Sequence, residues 1–109
     1  MNMNDYQQAA LRTAAPKEKP NELFHLLLGL VGETGEIAEK AKKIVRDKDS
    51  DFSQWDIVDL TKELGDTLWY VAVVAAYFDI PLEDVAQLNI TKLADRQQRS
   101  TLSGTGDNR

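Results

Sequence analysis

Between residues 21 and 46, Leu26, Leu27, Leu30, Val31, Ile37, Ala38, Ala41, Ile44 and Val45 recur at the three- and four-residue steps of a helical face. A helix from about Asn21 to Arg46 is predicted, ending before the polar cluster "RDKDSD". The apolar set Leu60, Leu64, Leu68, Val71, Val73, Val74 and Phe78 predicts a second helix, running to about Phe78. Ser53 and Asp56 form its S-x-x-D start signal. Pro81 sits at a fresh helix start, and "LEDVAQLNITKLADRQQR" continues it to about Arg99. Ahead of these, Asn4 to about Thr13 is a short amphipathic segment with Asn4 and Gln7 in capping-box order. The linker "PKEKP" cannot continue a helix. No strand signal competes, and the short connections suit antiparallel neighbours, so the fold class is all-α, a helical bundle. Residues 1–99 form a single domain, and the small polar stretch 100–109 is a flexible tail.

The second long helix is apolar around most of its circumference, and such a helix must be covered on several sides. One short and three longer helices supply little cover, so completion of the bundle by oligomerisation is expected.

The polar positions carry the chemistry. With Gly29 at zero, Glu33 falls near ~40°, Glu36 near ~340° and Glu39 near ~280° around the first long helix, with His25 at ~320°. The apolar set lies at ~60° to ~200°, so an oily face opposes a face of acids and glycines. On the next helix, "KELGD" sets Glu63 and Asp66 three apart, with Asp59 and Tyr70 on the same stripe. Clustered carboxylates repel one another and call for cations, and hard oxygen ligands suit Mg²⁺ or Mn²⁺. The plainer reading is a solvated face with ordinary ion pairs, and Glu36–Lys40 and Glu39–Lys43 have the favourable i,i+4 order. Glu33 and Glu63 have no such partner, their i+4 residues being Ile37 and Thr67. A di-iron bundle would need E-x-x-H motifs, and the one histidine, His25, is in neither acidic pair. On the last helix Asn89, Lys92 and Arg96 share a stripe that suits phosphate oxygens, or else a solvated surface. Gly29, Gly32 and Gly35 each cost a helix roughly 1 kcal/mol relative to alanine. Gly29 and Gly32 flank the acids with Gly35 at the edge, where missing side chains give room for metal, water and phosphate or for a second helix.

Composition sharpens this picture. Thirteen basic residues against eighteen acidic give a net charge of −5 over 109 residues, which argues against a nucleic-acid surface. An acidic chain that handles a polyanion needs metal cations between. There is no cysteine, so thiolate metal sites are excluded. No apolar run reaches the roughly 18 residues of a membrane span and no secretory h-region is visible, so a cytoplasmic protein is expected.

"GLVGETGEIAEKAKK" followed by "TKELGDTLWYVAVVA" resembles the all-α nucleoside triphosphate pyrophosphohydrolases, in particular small single-domain MazG-like proteins. The family pattern E-x-x-E, spacer, E-x-x-D is matched by Glu33-x-x-Glu36, twenty-six intervening residues, and Glu63-x-x-Asp66. "LEDVAQLNITKLADR" resembles the family's Asn-x-x-Lys element, and the match covers about residues 23–97. The resemblance implies a dimeric or tetrameric bundle that hydrolyses an NTP or dNTP between its α- and β-phosphates. It makes Glu33, Glu36, Glu63 and Asp66 the Mg²⁺ ligands, with Glu33 or Glu36 taking the proton of the attacking water. Asn89, Lys92 and Arg96 would contact phosphate or sugar, and Tyr70 would lie beside the nucleotide.

His25 either touches the base or is a polar residue at the rim of the core. Trp55 and Trp69 either stack on a base or pack in the core or an interface. The role expected is clearing of surplus or non-standard dNTPs. Alternatives are a relative specialised for dUTP, dCTP or phosphoribosyl-ATP, and a non-catalytic helical oligomer or nucleotide sensor.

Overall fold

The computed structural model describes residues 1–100 and 104–107. Its helices are α1 (Met3–Leu11), α2 (Glu22–Asp47), α3 (Ile57–Tyr77) and α4 (Leu82–Gln98), with a single 3₁₀ turn over Phe52–Gln54 and no strand among the described residues. The all-α class and all four helices are as the sequence predicts. The expectation of a flexible tail falls partly on 101–103 and 108–109, which lie outside the described residues; Asp107, which is described, folds back onto Lys92 and Arg96.

Two start signals differ from expectation. The capping box of α1 is Asn2 with Asp5, each side chain accepting from the other's backbone N–H. Asn4 and Gln7 have other uses. Asn4 Oδ1 accepts from the Glu83 N–H in the first turn of α4. Gln7 is buried, and its Nε2 donates to the carbonyls of Ala72 and Ile80 at 3.0 Å each, while its Oε1 accepts from the Leu82 N–H at 3.0 Å. One amide thus joins α1, α3 and the start of α4. At α3 the cap is Asp56 alone, accepting from the N–H groups of Val58 and Asp59. Ser53 is drawn into the 3₁₀ turn of Phe52–Gln54, where both its N–H and hydroxyl donate to Asp51.

α2 and α3 form an antiparallel hairpin. Gly29 lies against Tyr70, Glu33 and Asp66 line one hollow, and Lys40 reaches Asp59 and Glu63, so residues advance on one helix as they recede on the other. α1 crosses α3 where Ala10 and Ala72 are buried, and small side chains there let the backbones approach. Leu26, Val73 and Leu82 complete this core, with Tyr6, Trp69 and Tyr70 packed around it. Trp69 fastens the crossing further, its Nε1 donating to the Ala10 carbonyl and to Thr13 Oγ1.

The face that α2 turns inward joins its acidic side to only one edge of its oily one, with Leu30 and Ile37 half-buried. Its buried residues are Glu22, Leu26 and Ile44, all near ~20–60° with Gly29 at zero, the same sector as Glu33. The apolar strip at ~160–260°, Phe24, Leu27, Leu28, Val31 and Val45, is exposed instead. Leu64 on α3 and Leu88 and Ile90 on α4 are also more than half exposed. The accessible surface is 7863 Å², against ~6,100 Å² for a compact monomer of this mass. The radius of gyration is 16.9 Å, where about 13 Å is usual for this length.

Replacing Gln7 by alanine leaves a buried N–H and two carbonyls short of a partner. The expected loss is about 2 kcal/mol of unfolding free energy in urea titration, with α-helical content retained in the native baseline.

Candidate functional site

Two pairs of acids, each one helical turn apart, meet because the hairpin register sets Glu33 opposite Asp66 and brings Glu36 and Glu63 in beside them. Glu33, Glu36 and Glu63 each offer a carboxylate oxygen, and those atoms all lie within 4.8 Å of one another. Asp66 stands outside this trio but shares with Glu33, Trp69 and Tyr70 the lining of an adjoining hollow of about 320 Å³. The four expected ligands therefore gather along one seam.

Their electrostatics follow from the crowding. Burial, and then the charges of Glu36, Asp66 and Glu63, push the Glu33 carboxyl above its ordinary value. Glu33 Oε2 and Glu63 Oε2 are both buried without a hydrogen-bond partner. Burial, and then the Asp66 charge, also raise the Tyr6 hydroxyl, which puts α1 within the reach of the site's field. Unpartnered buried carboxylate oxygens are costly, and hard oxygen donors at this spacing fit a divalent cation.

One cation of the chain already works here. Lys40 Nζ donates to Asp59 Oδ2 at 2.6 Å and to Glu63 Oε1 at 2.9 Å. Asp59, and then Glu63, hold its ammonium charged well above the usual lysine range. The expected Glu36–Lys40 pair is thus replaced by a bridge between helices, and Glu63 does have a cationic partner. Glu39 is 3.7 Å from Lys42 rather than paired with Lys43. The i,i+4 rule describes an isolated helix, whereas a neighbouring helix offers Lys40 two carboxylates at once. Lys40 was legible in the geometry of α2, since it falls at ~20°, between Glu33 and Glu36.

Aromatic groups wall the site. Tyr70 stands edge-on to Trp69 with centroids 4.9 Å apart. A Cβ added at Gly29 would fall 2.8 Å from Tyr70 Oη and nearer still to Cε1 and Cζ. The clearance at Gly29 therefore serves the Tyr70 ring, while Gly32 and Gly35 border open space.

The other candidates lie elsewhere in the protomer. His25 is exposed, with Nδ1 3.7 Å from Glu22 Oε1, and is not among the residues lining the acidic hollow. Asn89 and Lys92 border a different hollow with Ile80, Asp84, Val85 and Leu88. Lys92 Nζ is 2.9 Å from Asp107 Oδ1, and buried Arg96 donates to the Asp107 carbonyl at 2.6 Å. These contacts hold the Asp107 carboxyl below its usual range. Trp69 touches the acidic hollow, whereas Trp55 packs near Phe52.

Fold and site together define an all-helical protein with an acidic seam between two of its helices. The MazG nucleotide pyrophosphohydrolase domain model matches residues 22–101, and the chain belongs to that family. It is similar to the Gene 37 protein of Mycobacterium phage L5, 45% identical over 114 aligned positions that cover the whole of both chains. No solved structure matches it. The protein is thus a member of a nucleotide-hydrolysing family, and no helix among its described residues is long and apolar enough to cross a membrane.

The raised Glu33 carboxyl has a defined sign in stability. Its folded-state value lies above the unfolded one, near 4.5, so the folded state holds the proton longer and stability falls as pH rises through that window. Glu33→Gln removes this cost. Without divalent cations the variant should melt above wild type at pH 7–8, and the difference should shrink to nothing as the pH falls below about 4.5. Scanning calorimetry in EDTA across that range measures it.

Proposed function

We propose that the protein is a Mg²⁺-dependent hydrolase that cleaves NTPs or dNTPs between the α- and β-phosphates. Water and substrate give a nucleoside monophosphate and pyrophosphate. The observation that carries this reading is the convergence of Glu33, Glu36 and Glu63 within 4.8 Å beside Asp66 and an open hollow. These four residues would hold the cations, which when bound would polarise the α-phosphorus and neutralise the leaving pyrophosphate. Glu33 or Glu36 would take the proton of the attacking water. Tyr70 borders the nucleotide from the wall of the hollow. Asn89, Lys92, Arg96 and His25 lie apart from this hollow within one protomer, so in this reading they reach phosphate, sugar and base only of a nucleotide held between two copies of the chain. The physiological task is clearing surplus or non-standard dNTPs in the cytoplasm.

Incubated with dNTPs and Mg²⁺, the protein should release pyrophosphate and monophosphate, and EDTA should stop it. Orthophosphate release would exclude α–β cleavage, and binding without turnover would make the protein a nucleotide sensor. Glu63→Gln and Asp66→Asn should each lower kcat by at least about 100-fold with the helical circular dichroism spectrum unchanged.

The chain acts as a homodimer or homotetramer. Phe24, Leu28, Val31, Leu64, Leu88 and Ile90 leave a large apolar area open, and a stable homodimer needs about 800 Å² or more from each partner. Light scattering should give a mass at least twice that of the 12.2 kDa chain; replacing Leu28 and Val31 by Glu should shift it toward the monomer.

A further inference from the structure

Lys40 lies two turns beyond Glu33 on α2 and crosses the seam to α3, where it meets two carboxylates set one turn apart. Its ammonium is 2.6 Å from Asp59 Oδ2 and 2.9 Å from Glu63 Oε1. An ammonium is a donor only and has three hydrogens to place; two of them are spent here. The bridge fixes Glu63 by one oxygen and leaves the other, Oε2, buried and without a partner. Asp59 in turn fixes Lys40, since it binds the same nitrogen from the neighbouring turn of α3. Glu63 itself is well sheltered, its side chain 13% exposed.

Two physical roles follow from such a bridge, and they act in opposite directions on a cation in the seam. As a bare positive charge near the carboxylates, Lys40 would repel a divalent cation and weaken its binding. As a fixed donor it would remove the rotational freedom of the Glu63 carboxylate and hold it ready, strengthening binding. The geometry favours the second. Lys40 lies against a single oxygen of Glu63 and is anchored from behind by Asp59, a carboxylate outside the four-acid set.

Building on the proposed metal site, we infer that Lys40 is a positioning residue, which with Asp59 as its anchor holds Glu63 by Oε1 and presents Oε2 to a divalent cation. Lys40 touches neither water nor phosphate in this role; it acts through Glu63.

Mn²⁺ binding to the full-length protein, followed by electron paramagnetic resonance of the free ion and by titration calorimetry without nucleotide, tests this directly. Lys40→Met keeps the length of the side chain and removes its donors, and Mn²⁺ affinity should fall about tenfold or more. Lys40→Arg, which retains donors for both carboxylates, should recover most of the loss. Asp59→Asn should weaken Mn²⁺ in the same direction as Lys40→Met but less. With dNTP, kcat should fall in Lys40→Met while KM moves little. Tighter or unchanged Mn²⁺ binding in Lys40→Met, in protein whose circular dichroism matches wild type, would overturn the positioning role. Should Lys40→Met fail to fold, unchanged Mn²⁺ affinity in Asp59→Asn would overturn it equally. Wild-type protein that binds no Mn²⁺ would instead remove the metal site itself, an outcome distinct from either.

Discussion

Glu33 and Glu36 on α2 face Glu63 and Asp66 on α3, and burial together with the neighbouring charges works against the ionisation of Glu33. The surrounding structure is arranged to keep them there. The antiparallel hairpin sets the register, and Lys40 draws two of α3's carboxylates to α2. Gly29 gives up its side chain so that Tyr70 can lie in the seam. Trp69, on the far side of the same turn, ties α3 to α1 through the Ala10 carbonyl and Thr13. A bundle optimised for stability alone would fill this seam with leucines.

That arrangement explains the inverted polarity of α2. A helix with acids on one side and leucines on the other would ordinarily bury the leucines within its own chain. Here the acidic side packs inward together with one edge of the apolar set, Leu26 and Ile44, and the rest of that set is exposed. Among the described residues the strip Phe24, Leu27, Leu28, Val31 and Val45 is left uncovered. The acids and the exposed apolar strip are thus opposite faces of one helix.

Helical periodicity made the four helices legible to within a residue or two, because 3.6-residue spacing reports which positions share a side. The same arithmetic placed both acidic pairs on single faces, and the family resemblance said which pairs belong together. What it could not supply was the neighbour. Gln7 reads as a capping residue until α3 and α4 lie beside it, and Lys40 reads as the partner of Glu36 until Asp59 and Glu63 lie across from it. Asn89, Lys92 and Arg96 do share a stripe, but a stripe says nothing about where its helix sits, and in the protomer α4 packs against α1 and α3. The outward turn of α2's leucines was hidden for the same reason.

The partners of Gln7 stand 65 to 75 residues downstream of it. During synthesis α1 is made before α2, α3 and α4, yet its polar anchor has nothing to bind until the end of α3 and the first residues of α4 have followed. The hairpin of α2 and α3 is the more local structure and can pair first. The helix made before the other three is therefore the closing piece of the fold, held waiting until the start of α4 exists.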